Sequence, residues 1–119
     1  MRSTDLITLK QRLREFADAR DWDQFHSPKN LAMALSVEVA EIVEHFQWLT
    51  EEQSSNLPQD KLAEVEAELG DTFIYLIRLA DKLDIDLFDA TIRKISLNEK
   101  KYPVEKARGN ARKYTEFDK

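Results

Sequence analysis

The chain contains no cysteine, and glycine and proline are scarce, at two and three of 119 residues. Without cysteine, disulfide bonds, thiol catalysis and cysteine-bound zinc are excluded. So few breakers, beside many Leu, Ala, Glu and Lys residues, predict an all-α protein. With only two histidines, His26 and His45, a histidine-rich metal centre is excluded as well.

Long apolar runs and a surplus of positive charge are also missing. No apolar stretch reaches the roughly 18 residues of a membrane span, and no signal-peptide pattern opens the chain. A net charge of −5 leaves no broad basic surface for a phosphate backbone, so we expect no polymeric nucleic acid as a partner. Binding of a single nucleotide is still compatible with the negative net charge, because a metal ion bound by acidic side chains can attract the phosphate groups. These absences predict a soluble, cytoplasmic protein without a membrane partner.

What the chain does contain is helical periodicity. The expected helices cover about residues 5–20, 27–48, 60–83 and 86–102. Ser27 followed by Pro28 is a strong start signal for the second helix, and Asp86 can cap the fourth. The pattern predicts a four-helix-bundle-like fold.

The segments between and after these helices are predicted to be irregular. Residues 21–27 form a linker, and the polar stretch 50–59, which contains Pro58, is interpreted as a loop. Residues 104–119 show little periodicity and are predicted to be a tail. We therefore expect one helical domain over residues 1–103, followed by the tail.

Two acidic pairs stand out on the predicted helices. Glu38 with Glu41, and Glu68 with Asp71, are each spaced i, i+3, which turns both carboxylates to one side. Such pairs are usually solvated, but Glu38 falls among apolar residues, where an unpaired carboxylate is unfavourable. Glu64 shares the side of Glu68 and is interpreted as an exposed acid. Four carboxylates across a seam between antiparallel helices would suit Mg²⁺, or Mn²⁺ in its place.

A complementary basic face is predicted on the fourth helix. Lys94, Asn98 and Lys101 follow the spacing i, i+4, i+7, and with Tyr102 they offer cations and donors to phosphate oxygens. Lysine near a helix C-terminus is also favoured by the helix dipole. The basic face therefore indicates phosphate binding only in combination with the acidic pairs.

Both tryptophans lie near predicted helix ends. Trp22 sits in the first linker and Trp48 ends the second helix, so each either covers the core or stacks on a planar base, at roughly 1–3 kcal/mol per base. His26 can exchange a hydrogen bond with a base edge. His45 projects near the first acidic pair, either as a partner of those carboxylates or as a packed or interface histidine.

Four segments carry more specific motifs: RDWDQFHSPKNLAMALSVEVAEIVEHFQW, EAELGDTFIYLIRLADKLDIDL, SLNEKKYP and ARGNARKYTEF. Together, over about residues 13–117, they resemble the dCTP pyrophosphatase branch of the MazG-like all-α nucleotide pyrophosphohydrolases. The E-x-x-E and E-x-x-D core is typical of that superfamily. The elements DW-x-QFH, FQW and N-x-x-x-YP are typical of the branch.

The resemblance implies a Mg²⁺-dependent hydrolase that cleaves dCTP, or modified dCTP, to dCMP and pyrophosphate and so clears the nucleotide pool. The metal ligands it implies are Glu38, Glu41, Glu68 and Asp71, with Glu38 or Glu41 as catalytic base. The substrate-binding residues it implies are Trp22, His26 and Trp48 at the base, Tyr75 and Asn98 at the sugar and phosphates, and Lys94 and Lys101 at the phosphate tail. The basic face on the fourth helix adds Tyr102 as a donor to phosphate oxygens. Such proteins are oligomers with sites at subunit contacts, and we expect a homotetramer, a dimer of dimers, rather than a dimer.

Other functions fit the same pattern less well. The acidic pairs also occur in all-α pyrophosphohydrolases that act on dUTP, another nucleoside triphosphate or phosphoribosyl-ATP. A non-catalytic helical interaction module is the alternative outside the enzyme class, because fold alone does not imply activity. A di-iron carboxylate bundle would need Glu-x-x-His elements, and the chain has none.

Overall fold

The computed structural model describes residues 3–117, and every regular element in this range is helical, which confirms the all-α prediction. The α-helices are α1 (Ser3–Ala19), α2 (Pro28–Phe46), α3 (Glu51–Ser54), α4 (Gln59–Lys82), α5 (Leu87–Lys101) and α6 (Val104–Ala107). Short 3₁₀ helices cover Asp23–Phe25 and Tyr114–Glu116. Over the described part of the chain, no helix has the length and apolar character needed to cross a membrane.

The long helices begin where their capping residues predicted. The Ser27 hydroxyl accepts the Asn30 N–H at 3.1 Å, and Pro28 occupies the first turn of α2. The Asp86 carboxylate likewise accepts the Asp89 N–H at 2.9 Å at the start of α5. Both caps satisfy backbone donors that have no partner within the helix.

The stretch 50–59 is not a simple loop, because it contains α3. Thr50 and Gln53 form a reciprocal capping box: the Thr50 hydroxyl accepts the Gln53 N–H at 3.1 Å, and the Gln53 side chain accepts the Thr50 N–H at 2.9 Å. This local pair stabilises a short helix in spite of the polar composition. The predicted tail is also partly helical, since α6 follows Pro103 and a 3₁₀ turn follows later.

The chain divides into two compact units, Met1–Ile85 and Asp86–Lys119, which are described separately. In the first unit α2 lies antiparallel to α4. His45, near the end of α2, is 3.4 Å from Lys61 near the start of α4, whereas Glu38 in the middle of α2 meets Glu68. Whether residues 1–103 fold as one domain stays a prediction.

The core of the first unit lies along α2 and α4, with α1 packed on α4. Leu31 of α2 and Val65 and Ile77 of α4 are buried. Arg14 of α1 makes a bidentate ion pair with Asp81 of α4, at 2.7 and 2.5 Å. This packing brings the middle of α2 against the middle of α4, where the acidic pairs lie.

Candidate active site

Three carboxylates converge between α2 and α4. One oxygen each from Glu38, Glu41 and Glu68 lies within 4.8 Å of the other two. The Glu38 and Glu68 Oε2 atoms are buried and have no hydrogen-bond partner. Buried acceptors without donors are unfavourable unless a cation satisfies them, and an all-oxygen set suits a hard divalent ion. These residues therefore fit a metal ion.

The remaining acids of this region behave differently. Asp71 is exposed and lies outside the group of three, although it lines the same cavity as Glu38. The Glu64 side chain is 57% exposed and pairs with Lys61 at 3.1 Å, which confirms the interpretation of Glu64 as an exposed acid. His45 lies 3.8 Å from Glu64 and lines an open acidic depression beside Glu41.

The crowding of these acids changes the acidity of Glu38. Burial, the adjoining carboxylate of Glu68 and the charge of Glu41 raise the pKa of Glu38 to about 7. Asp71 adds to the same effect. Without a cation, the cluster thus holds a proton near neutral pH.

This raised pKa predicts a pH-dependent stability of the metal-free protein. A carboxyl whose pKa is higher in the folded state stabilises the fold fully below its unfolded pKa of about 4.5, and that contribution is lost as pH rises through about 7. Glu38→Gln removes the titration. We expect the melting temperature of Glu38→Gln, measured in a chelator, to rise relative to that of the wild type as the pH increases from about 5.5 to about 8. Glu44→Gln, an exposed acid of α2, is the control, and a pH-independent difference for Glu38→Gln would contradict the prediction.

A cavity of about 280 Å³ adjoins this cluster within the first unit. Five predicted site residues line it: Trp22, His26, Glu38, Asp71 and Tyr75. Its other lining residues are Leu13, Phe16, Ala17, Ile74 and Arg78. The cavity is mostly apolar with a few polar groups, as is typical of a site for a planar ligand.

The end of α1 places Trp22 at this cavity. Asp21 adopts a left-handed conformation, with φ of 54°, and the Trp22 N–H bonds back to the Ala17 carbonyl at 2.9 Å. This is a Schellman-type helix end formed without glycine. The Trp22 ring then meets Phe16 edge to face, with centroids 5.6 Å apart. The turn and the ring contact together hold the indole in position.

None of the five other residues that line the cavity was predicted as a site residue, and two of them, Phe16 and Arg78, contact predicted site residues. Phe16 belongs to the apolar stripe of α1 and gave no sign of a role beyond the core. Arg78 did carry a signal, because a charged residue between Ile77 and Leu79 interrupts an apolar stretch of α4. The same reasoning that singled out Glu38 applies to Arg78.

Several predicted substrate-binding residues are not brought to the cavity within the described first unit. Trp48 follows the end of α2, is 86% exposed and does not line the cavity. Lys94, Asn98 and Lys101 lie on α5 in the second unit, and Tyr102 packs there against Phe117, with ring centroids 5.6 Å apart. Their roles stay predictions.

An open acidic depression of about 490 Å³ also borders the cluster. Glu41 and Glu68 line the depression, whereas Glu38 lines the cavity. The three carboxylates therefore stand between an apolar cavity and an acidic surface. A ligand with one planar, apolar part and one anionic part that binds metal would match this arrangement.

Known proteins with similar sequences support the interpretation of this region as the site of a nucleotide pyrophosphohydrolase. A model of the MazG-like family matches residues 33–117. The dCTP pyrophosphatase 1 of Mus musculus is 46% identical over 105 residues, which cover 87% of this chain and 62% of that protein. The Homo sapiens protein of the same name is 44% identical over 106 residues, with the same coverage of 87% and 62%. The chain thus spans 62% of the length of these curated relatives.

A solved structure gives a match over nearly the whole of its own chain. It is the crystal structure of a pyrophosphatase from Archaeoglobus fulgidus DSM 4304. The two chains are 42% identical and superpose with a TM-score of 0.79, covering 83% of this chain and 93% of that one. The arrangement of helices that positions the acidic cluster is therefore shared with a pyrophosphatase.

Proposed function

Because the chain belongs to the MazG-like family, we propose that it is a Mg²⁺-dependent dCTP pyrophosphohydrolase, which converts dCTP and water to dCMP and pyrophosphate. The observation that carries the proposal is the cluster of Glu38, Glu41 and Glu68, with two buried oxygens lacking partners, beside a cavity lined by Trp22 and His26. The names of the curated relatives point to the same substrate.

The geometry supports one orientation of the nucleotide. The cytosine would enter the cavity, stack on Trp22 and meet His26 at its edge, while Tyr75 faces the sugar. The triphosphate would then extend toward the carboxylates at the border of the cavity. Lys94, Asn98, Lys101 and Tyr102 are proposed to contact its phosphate oxygens.

Glu38, Glu41, Glu68 and Asp71 would hold the metal. When bound, Mg²⁺ supplies positive charge that neutralises the phosphate oxygens. Glu38 or Glu41 takes a proton from the attacking water, and the apolar cavity wall keeps other water away from the base. The water oxygen bonds to the α-phosphorus, and the bond from the α-phosphorus to the oxygen that bridges it to the β-phosphorus breaks. The bridging oxygen leaves with pyrophosphate. We place this activity in the cytoplasm, where it would clear non-standard or surplus deoxycytidine nucleotides.

A substrate panel tests the proposal directly. We expect pyrophosphate release from dCTP and 5-methyl-dCTP in Mg²⁺, weaker release from dUTP, dTTP, ATP and phosphoribosyl-ATP, and none in a chelator. Mg²⁺ together with dCTP should also raise the melting temperature, because a ligand that binds only the folded state stabilises it. Preferred cleavage of dUTP or phosphoribosyl-ATP would identify a different specificity. No release and no thermal shift would identify a non-catalytic module.

We further propose a homo-oligomer, favouring a tetramer, in which Trp48 reaches the cavity of a neighbouring protomer. Met33 and Val37, one turn apart on α2, are each more than half exposed, as is Trp48. Apolar residues exposed along one helix are typical of a subunit contact. A Trp48 that acts across such a contact would account for its position outside the cavity of its own chain.

Mixing two variants tests whether Trp48 acts between protomers. Trp48→Ala and Glu41→Gln chains should each be weakly active, because one lacks the stacking surface and the other a carboxylate. If Trp48 belongs to a neighbour's site, dissociating and randomly reassembling an equal mixture restores about a quarter of wild-type activity. Half of the reassembled pairs are mixed, and in each mixed pair one of the two sites has both Trp48 and Glu41. Activity equal to the mean of the two separate variants would place Trp48 outside the neighbour's site.

A further inference from the structure

Arg78 is the one buried charged residue among those the structure describes, with 4% of its surface exposed. It lies on α4 at the wall of the cavity, and its guanidinium reaches the 3₁₀ segment that follows α1. Its Nη2 atom is 3.1 Å from Asp23 Oδ1 and 3.2 Å from His26 Nδ1. The buried Nε atom has no hydrogen-bond partner. A buried cation that contacts a cavity histidine is unusual enough to need a reason.

The contact with His26 determines where the imidazole carries its proton. A guanidinium only donates hydrogen bonds and keeps its protons at all ordinary pH values. His26 Nδ1 must therefore accept from Arg78 Nη2, and an accepting ring nitrogen carries no proton. A neutral imidazole then bears its single proton on Nε2.

The charged groups around His26 favour the same neutral form. Burial and the positive charge of Arg78 lower the pKa of His26, Lys82 lowers it further, and Asp23 opposes them. Asp23 itself is shared, because its Oδ1 also lies 2.5 Å from Lys82 Nζ. Arg78 Nη2 carries two protons, so it can donate one to Asp23 and the other to His26.

We propose that Arg78 is a positioning residue that locks His26 as the Nε2–H tautomer, so that His26 offers a donor, and never an acceptor, to the ligand in the cavity. This assignment follows from the donor and acceptor chemistry of the two side chains. It gives a buried arginine a specific task in addition to holding the 3₁₀ segment against α4.

The effect of this tautomer on recognition of the nucleotide base rests on the proposed function. Cytosine presents acceptors at N3 and O2, whereas uracil and thymine carry a proton on N3. A donor at Nε2 can bond to cytosine N3 but meets another donor at the N3 of uracil or thymine. A histidine free to present an unprotonated Nε2 would accept from that N3–H. The lock therefore favours cytosine over the two other pyrimidines.

The first test measures the tautomer without any substrate. In the metal-free wild type at about pH 8, nitrogen-15 NMR of the His26 ring should show the proton on Nε2 and a hydrogen bond from an arginine N–H to Nδ1. A proton on Nδ1 would overturn the proposal. This measurement needs neither a variant nor activity, so its outcome is independent of the proposed function.

The second test separates the lock from simple structural support. Arg78→Met keeps most of the buried apolar volume but removes the donors, and we expect His26 to populate both tautomers. Lys82→Met is the matched control: it also removes an ion pair with Asp23, but Lys82 makes no hydrogen bond to His26, so the Nε2–H tautomer should persist. An unchanged tautomer in folded Arg78→Met would overturn the lock.

Specificity provides the functional readout. In Arg78→Met, the preference for dCTP over dUTP, as a ratio of kcat/KM, should fall about tenfold, chiefly through a higher KM for dCTP. Arg78→Lys retains a cation that can donate and should recover part of this preference. A uniform loss with both nucleotides would reduce Arg78 to structural support. If no nucleotide is cleaved by the wild type, the proposed function fails while the tautomer result stands.

Discussion

Replacing Glu41 with glutamine is expected to abolish pyrophosphate release while leaving the fold nearly unchanged. Glu41 is partly buried between α2 and α4, and its carboxylate lies within 4.8 Å of those of Glu38 and Glu68. Glutamine keeps the shape of the side chain but removes the charge that holds a cation and the basicity that accepts a proton. We expect turnover of dCTP to fall at least about 100-fold.

The stability of the same variant distinguishes chemistry from folding. Glu41→Gln removes one of three mutually repelling carboxylates, so its melting temperature in a chelator should equal or exceed that of the wild type. Glu66→Gln, an exposed acid of α4 close to Glu68, is the matched control and should keep wild-type turnover. A Glu41→Gln protein that retains half of the wild-type rate would remove Glu41 from the reaction.

The largest expected effect on stability comes from Leu31→Ala. Leu31 is 1% exposed and is the largest fully buried side chain among the described residues. Truncating it removes apolar contacts and leaves a cavity that the helices fill only in part. The free energy of unfolding should fall by about 2–5 kcal/mol.

Chemical denaturation followed by circular dichroism measures this loss. The control is Leu62→Ala on α4, where the side chain is about half exposed and the expected loss is well under half as large. Leu31→Ala leaves the carboxylates of Glu38 and Glu41 in place, so metal and nucleotide are expected to raise its melting temperature by about as much as is expected for the wild type. Equal losses in both leucine variants would contradict the assignment of Leu31 to the core.

The long helices could be predicted because their signals are local. Apolar residues recur with the helical period, and Ser27 and Asp86 provide caps whose hydrogen bonds span only three residues. The helix α3 was missed although its signal was equally local. The polar composition of residues 50–59 and Pro58 favoured a loop, and the capping pair of Thr50 and Gln53 was not recognised in the sequence. The helical part of the tail was missed because α6 has only four residues and no clear period.

The candidate site could be predicted only in part. The i, i+3 spacing identified the acids, and the motifs around Trp22 and His26 marked the cavity residues through resemblance. The charge of Arg78 within an apolar stretch is a local signal, but its contact with His26 could not be predicted, because that contact joins residues 52 positions apart in the chain. The exposed position of Trp48 could not be predicted either, since an aromatic residue at a helix end is compatible with both the core and the surface.

The sequence by itself determined the helical class, the caps of the main helices, the acidic pairs and the resemblance to a nucleotide pyrophosphohydrolase. Only the tertiary structure decided which carboxylates meet, that the pKa of Glu38 rises to about 7, and that a buried arginine faces His26. The physical reason is that helix period and capping act over three or four residues. Burial and the contact of charged groups arise only when α2 and α4 pack together.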